Sequence, residues 1–200
     1  MQKLTVKHPT GPGTPVYIIA EMSANHNQDF DTAVRILHAA QESGADAVKL
    51  QTYTPDTLTI DCHNEYFRIG KGTIWEGKNL YALYGEAYTP WEWQPKLKAL
   101  ADELGLDLFS TPFDVTAVDF LEAMEVPAYK IASFEIVDIP LVRYIAQKMR
   151  PIIMSTGMAT LAEIEEAVMV IRETGNEQIC LLYTSPSPRD RTRSRMPSSA

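Results

Sequence analysis

Pro151-Ile152-Ile153-Met154-Ser155 is a short apolar run, and Thr156-Gly157-Met158-Ala159-Thr160 separates it from a helical stretch ending near Thr174. The run reads as a buried strand and Thr160 as the cap of the helix. The same unit recurs in both directions along the chain. Upstream, Leu106 to Thr111 is a strand, followed by a helix from Asp114 to Met124 with Val118 and Leu121 inward. Ala128 to Ile131 is the next strand, and Leu141 to Lys148 is helical. Downstream, Gln178 to Leu182 opens a further strand. Nearer the N-terminus, Val16 to Ala20 and Ala47 to Gln51 are strands. Between them lies a helix from Asp31 to Ser43, with Ala33, Val34, Leu37 and Ala40 as its apolar face and Gly44 as its stop signal. Only Thr52 to Tyr88 breaks the rhythm, an aromatic-containing excursion with weak periodicity. Order returns at Thr89, an expected N-cap with Pro90 at the first position of a helix running from Trp91 to Leu104.

This is βα five times over, plus a sixth strand. From the third strand onward the strands start about 22, 23 and 27 residues apart. Even spacing with continuously apolar strands predicts parallel strands covered on both faces. A doubly wound sheet shares that signature. The expectation here is α/β, an incomplete (β/α)8 TIM barrel with about six strands present and two missing. No Gly-x-Gly-x-x-Gly follows a strand, and polar residues close every early strand, where a barrel would gather them at one mouth.

Composition narrows the partners. With 45% hydrophobic and 22% charged residues among 200, the chain can bury a sizeable core. No apolar run reaches the length of a membrane span, and Met1-Gln2-Lys3-Leu4-Thr5-Val6 lacks the apolar core of a signal peptide. Two cysteines, Cys62 and Cys180, make neither a disulfide framework nor a thiolate cluster, so a reducing cytoplasm is the expected compartment. Residues 1–182 carry 14 basic and 25 acidic side chains, which makes nucleic acid and anionic membranes poor partners.

Residues 183–200 are different, a Ser/Pro/Thr/Arg tract with four arginines and one aspartate. It interrupts an apolar strand with charges that a strand cannot bury. A natural disordered tail and a basic binding tail are two readings. The expectation is a third: a non-native ending that resembles adapter read-through, with the natural protein continuing past Leu182. The expected organisation is an N-terminal extension over 1–13, a partial barrel over 14–182 and the tail over 183–200.

The polar residues at the strand ends carry the functional reading. Glu21 follows the first strand in Glu21-Met22-Ser23-Ala24-Asn25-His26-Asn27, either a packed loop or a substrate-facing one. On the second strand Lys49 and Gln51 share a face, because strand side chains repeat every second residue. A buried lysine is costly without an anion or carboxylate beside it, so Lys49 is expected either to pair with Glu21 or Asp46 or to bind phosphate or carboxylate. Lys130 lies on the fourth strand, with Ser133 and Glu135 just past its end. Two lysines at nearby strand ends make a positive spot in an acidic shell, which a small phosphorylated anion would neutralise. Alternatively one of them is a Schiff-base lysine of lowered pKa. Thr111 and Ser155 close the third and fifth strands and offer hydroxyls to such an anion, or Thr111 caps a helix. His26 is the one histidine expected at the mouth, too few for a metal site.

Several of these segments, in this order, resemble the sialic acid synthases. They are Ile19-Ala20-Glu21-Met22-Ser23-Ala24-Asn25-His26-Asn27, Ala45-Asp46-Ala47-Val48-Lys49-Leu50-Gln51, Ser110-Thr111-Pro112-Phe113-Asp114 and Ser155-Thr156-Gly157-Met158-Ala159-Thr160. Tyr129-Lys130-Ile131-Ala132-Ser133-Phe134-Glu135, the stretch from Thr59 to Phe67 and Tyr88-Thr89-Pro90-Trp91-Glu92-Trp93 are similar to the branch of that family that forms pseudaminic acid. The resemblance implies condensation of phosphoenolpyruvate with an amino sugar, here 2,4-diacetamido-2,4,6-trideoxy-altropyranose. C3 of phosphoenolpyruvate attacks the open-chain aldehyde, water adds at C2, and phosphate leaves. It further implies that Lys49, Lys130, Ser133 and Ser155 hold phosphoenolpyruvate. Gln51 and Glu135 would face the sugar, and Glu21 and Thr111 would line the same pocket. A divalent metal (Mn2+, Mg2+ or Co2+) and a homodimer are implied as well. By the same resemblance the two metal-binding histidines and a C-terminal domain lie beyond Leu182. N-acetylneuraminate synthesis from N-acetylmannosamine, a Schiff-base aldolase and a noncatalytic sugar-phosphate-binding barrel remain as alternatives.

Overall fold

Six strands lie side by side in chain order and all parallel: β3 (Ile19–Glu21), β4 (Ala47–Thr52), β5 (Asp107–Pro112), β6 (Tyr129–Ile131), β7 (Ile152–Ser155) and β8 (Ile179–Leu182). Before them, β1 (Leu4–Thr5) and β2 (Pro9–Thr10) pair antiparallel in a separate ribbon. The computed structural model describes residues 4–6, 9–10, 13–70, 72 and 75–182. The tail assigned to 183–200 therefore lies outside the described residues, as does most of the extension assigned to 1–13.

Helices return the chain between successive strands. They are α1 (Phe30–Glu42), α4 (Gln94–Glu103), α5 (Val115–Ala123), α6 (Ile139–Ala146) and α7 (Leu161–Glu173), with α2 (Pro55–Leu58) and α3 (Leu80–Ala87) inside the excursion. This is six-eighths of a (β/α)8 barrel, an incomplete barrel of the expected class. α1, α5, α6 and α7 each begin where a short polar side chain satisfies free backbone N–H groups, whereas α4 begins after Trp93 without a side-chain cap. Asp29 accepts from Thr32 N at 2.6 Å, Asp114 from Thr116 N at 2.7 Å, and Asp138 from Leu141 N at 3.1 Å. Thr160 and Glu163 form a reciprocal capping box on α7. α1 stops at Gly44, whose φ of +78° closes the turn.

The core sits in two bodies. Ala33 and Leu37 of α1, Leu97 and Ala101 of α4 and Val48, Leu50 and Leu108 of the strands are fully buried together. The second body joins α5, α6 and α7 to β6 and β7, and Val6 from between β1 and β2 is buried within it.

One local expectation fails. Trp91 to Leu104 is not a single helix capped by Thr89: Trp91–Trp93 is a 3-10 turn, and α4 starts at Gln94. Pro95 explains the break, since a continuous α-helix from Trp91 would need a Pro95 N–H to reach the Trp91 carbonyl. Gln94 N–H bonds that carbonyl instead. Thr89 is released from capping and becomes buried.

Candidate functional site

Register carries the strand-end residues to one surface. Glu21 pairs with Lys49, Lys49 with Phe109, and Gln51 with Thr111. With side chains alternating, these all project from the concave face, while Val48, Leu50 and Leu108 go outward to the helices. Tyr129 faces outward to Glu122 of α5 at 2.8 Å, which turns its neighbour Lys130 to the same inner face. Ser155 is there too, because its hydroxyl lies 2.7 Å from Lys130 Nζ.

The two lysines are both buried, each about 7% exposed. Lys49 Nζ lies 2.9 Å from Glu21 Oε2, so the carboxylate pairing expected as one alternative is present, on a glutamate that is itself half exposed at the mouth. Lys130 is held differently. Its ammonium donates to the Ile131 carbonyl at 2.7 Å and to Ser155 Oγ, and no carboxylate among the described residues forms an ion pair with it. Burial, and next the charge of Lys49, push Lys130 down to about 8, with Glu21 and Glu135 pulling the other way. A desolvated cation short of counter-charge beside a second cation is a ready seat for an anion.

Past the end of β6, Ser133 and Glu135 are half-buried. Glu135 Oε2 is buried with no hydrogen-bond partner among the described residues. Burial raises the Glu135 carboxyl, opposed by its own backbone N–H and by Lys130. Thr111 is buried on β5 and caps nothing, since Asp114 takes that role. The eight residues read from the sequence thus fall on β3 to β7 or just past their C-terminal ends. Direct side-chain contacts link Glu21 to Lys49 and Lys130 to Ser155.

Two groups went unread. Beyond Gln51 and Thr111 the two-residue alternation continues to Tyr53 and Phe113, whose rings meet edge to face with centroids 5.4 Å apart. Tyr84 of α3 joins them, 5.8 Å from Tyr53. Extending the period past the strand ends would have found Tyr53 and Phe113; nothing in the excursion marks Tyr84. The second group is a buried polar chain behind the mouth. His26 Nε2 lies 3.1 Å from Thr89 Oγ1, Gln94 donates to the Thr89 carbonyl at 3.4 Å, Thr52 donates to Gln94 at 2.8 Å, and Thr52 and Ser110 hydroxyls lie 2.6 Å apart.

His26 is therefore a structural tie. Its Nδ1 accepts the Gln28 N–H at 3.1 Å, which leaves the proton on Nε2 for Thr89, and burial lowers its pKa. Gln28 strengthens the tie by donating to the Glu86 carbonyl at 3.3 Å and to the Tyr88 carbonyl. Replacing His26 with Ala opens a cavity and orphans two polar groups, so the expected cost is roughly 2–4 kcal/mol in a denaturant melt. His26→Gln should recover part of it, and an unchanged midpoint for His26→Ala would refute the structural role.

The donor set for a metal is not assembled. No cluster of three His, Cys, Asp or Glu side chains exists among the described residues, and both nitrogens of His26 are engaged. These residues alone do not fit a divalent cation. No helix among the described residues is long and apolar enough to cross a membrane.

Fold and site together define a parallel α/β protein whose inner face carries two buried lysines, Lys49 and Lys130. The chain belongs to the NeuB family, whose sequence profile matches residues 36–188. It is 49% identical over 168 residues to the pseudaminic acid synthase of Helicobacter pylori, covering 84% of this chain and 49% of that protein. It is 36% identical over 171 residues to the N,N'-diacetyllegionaminic acid synthase of Legionella pneumophila, covering 86% and 48%. Among solved structures, the N-acetylneuraminic acid synthetase of Leptospira borgpetersenii superposes with a TM-score of 0.79 at 26% identity, over 96% of this chain and 66% of that one. The chain spans about half the length of the curated relatives it matches.

Proposed function

We propose that the whole protein condenses phosphoenolpyruvate with 2,4-diacetamido-2,4,6-trideoxy-altropyranose and water, giving pseudaminic acid and phosphate. The observation that carries this reading is the buried Lys49–Lys130 pair with Ser155 alongside. Similarity to the Helicobacter pylori pseudaminic acid synthase supports the choice of sugar.

In this reading Lys130 and Lys49 receive the phosphate and carboxylate of phosphoenolpyruvate, with Ser155 and Ser133 donating hydroxyls. The anion compensates the desolvation of Lys130 and keeps it protonated. Holding C3 against the sugar aldehyde is a positioning task for Gln51, Glu135 and Thr111 on the facing rim. A C3–C1 bond then forms and the aldehyde oxygen takes a proton. Water adds at C2, the bond from C2 to the phosphate oxygen breaks, and phosphate departs with the ester oxygen. Fixed ammonium charges stabilise the phosphoryl group as it leaves. Glu21 holds Lys49 in place between turnovers. Divalent-metal dependence and a homodimeric whole protein belong to the same proposal.

The test is phosphate release by the whole protein with phosphoenolpyruvate and each of two sugars. Release with the diacetamido-trideoxy sugar is expected; release only with N-acetylmannosamine would move the assignment to N-acetylneuraminate synthesis. The lowered pKa of Lys130 also suits a Schiff-base lysine, and borohydride trapping of substrate on Lys130 would establish that reading instead.

A further inference from the structure

The aromatic group above the lysines has no part in holding the anion. Tyr53 and Phe113 continue the inner-face positions of Gln51 and Thr111, so they form the next tier toward the mouth. Tyr53 is only 4% exposed, and its backbone is pinned by the indole N–H of Trp91, which donates to the Tyr53 carbonyl at 3.1 Å. Tyr84 arrives from α3, which is anchored by the hydroxyl of Tyr81 on Asp56 at 2.8 Å and by the contacts of Gln28 at its C-terminal end. Neither the Tyr53 nor the Tyr84 hydroxyl makes a hydrogen bond to any described residue. Burial and next the negative charge of Glu135 raise the Tyr84 phenol, so the carboxylate with the unpartnered Oε2 lies within electrostatic reach of Tyr84.

Two uncommitted phenol donors, three ring edges and one acceptor oxygen suit a particular ligand chemistry. Rings take C–H and methyl groups; phenol hydroxyls donate to carbonyl oxygens; a carboxylate accepts from a sugar hydroxyl. Among the described residues no lysine or arginine contacts these three rings, so none of them would compensate a phosphate on the sugar there, and Glu135 would repel one. We infer that Tyr53, Phe113 and Tyr84 form the sugar-selecting wall, which takes the apolar edge of a deoxy, N-acylated, unphosphorylated sugar and discriminates against hydroxymethyl and phosphorylated counterparts. The inference rests on the condensation proposed above and deepens it at the sugar end.

The experiment measures phosphate release by the whole protein and its Tyr84→Ala and Tyr84→Phe variants. Substrates are the diacetamido-trideoxy sugar, N-acetylmannosamine and N-acetylmannosamine 6-phosphate. Tyr84→Ala is expected to raise KM for the deoxy sugar about tenfold or more, the scale at which an apolar pocket distinguishes one small group. KM for phosphoenolpyruvate should stay within about twofold, and the preference for the deoxy sugar over N-acetylmannosamine should narrow. Tyr84→Phe keeps the ring, so it should hold that preference while KM for the sugar rises about threefold through loss of the hydroxyl. An equal rise in both KM values, or an unchanged preference in Tyr84→Ala, would overturn the wall; so would efficient use of the 6-phosphate by the unaltered protein. Failure of the unaltered protein to release phosphate with any of the sugars would instead overturn the condensation, and the wall with it.

Discussion

In the whole protein, on the condensation proposed above, Lys130→Met is expected to lower kcat/KM for phosphoenolpyruvate by about 10²- to 10³-fold, the cost of deleting one member of a desolvated charge arrangement that holds a ligand. Methionine keeps most of the side-chain volume but none of the charge. The expected signature separates this effect from damage to the fold. Without an anion, Lys130 is a buried cation beside Lys49, so its removal relieves a desolvation cost and a repulsion. The melting temperature of the variant should therefore hold or rise while activity collapses. A parallel fall in both would mean that Lys130 serves the structure, and full activity would remove it from the site. Lys130→Arg should recover little, because a planar guanidinium does not reproduce a compact ammonium wedged between Ser155 Oγ and the Ile131 carbonyl.

By the same proposal, the affinity of the whole protein for phosphoenolpyruvate is expected to fall about tenfold per pH unit above pH 8, by simple proton linkage. The sign follows from Lys130, which titrates at about 8 in the free protein against a usual 10.5. A bound dianion favours the charged form and raises that value. Above pH 8 the free protein has lost a proton that the complex must regain, so dissociation constants climb until the raised value is passed. Stability moves oppositely. Between about 8 and 10.5 the folded chain binds fewer protons here than the unfolded one, so the contribution of Lys130 to stability rises with pH across that window. Loss of affinity thus cannot be mistaken for unfolding. Titration of binding by calorimetry, in the protein and in Lys130→Met, checks the point: the variant should be flat across the window, and a flat profile in the unaltered protein would sink the assignment.

The barrel was legible in the chain because parallel strands buried on both faces leave a plain mark. Val48, Leu50, Leu108, Ile152 and Met154 are apolar at even spacing, and the polar exceptions among them, Lys49, Gln51 and Lys130, stand out against that background. Period-two alternation was enough to place Lys49 and Gln51 on one face. Pro95 marks the broken helix at Trp91 in the sequence, but the reading of one helix from Thr89 and Pro90 took no account of it. Other features had no local mark. Thr89 and His26 are 63 residues apart, and Lys130 and Ser155 are 25 apart; their contacts exist only once neighbouring strands and loops have closed. Tyr84 sits in a segment whose periodicity says nothing, and only the fold-back of α3 onto Tyr53 gives it a place.

The order of strands and helices, the inward facing of the lysines and the acidic character of the body were determined by residue pattern alone, because alternation, capping and charge act between near neighbours. Which lysine takes a carboxylate and which is left to Ser155, whether His26 binds or braces, and which aromatics crown the mouth were decided only by tertiary structure. Those outcomes depend on desolvation and on contacts across strands, and neither exists until the chain has closed around them.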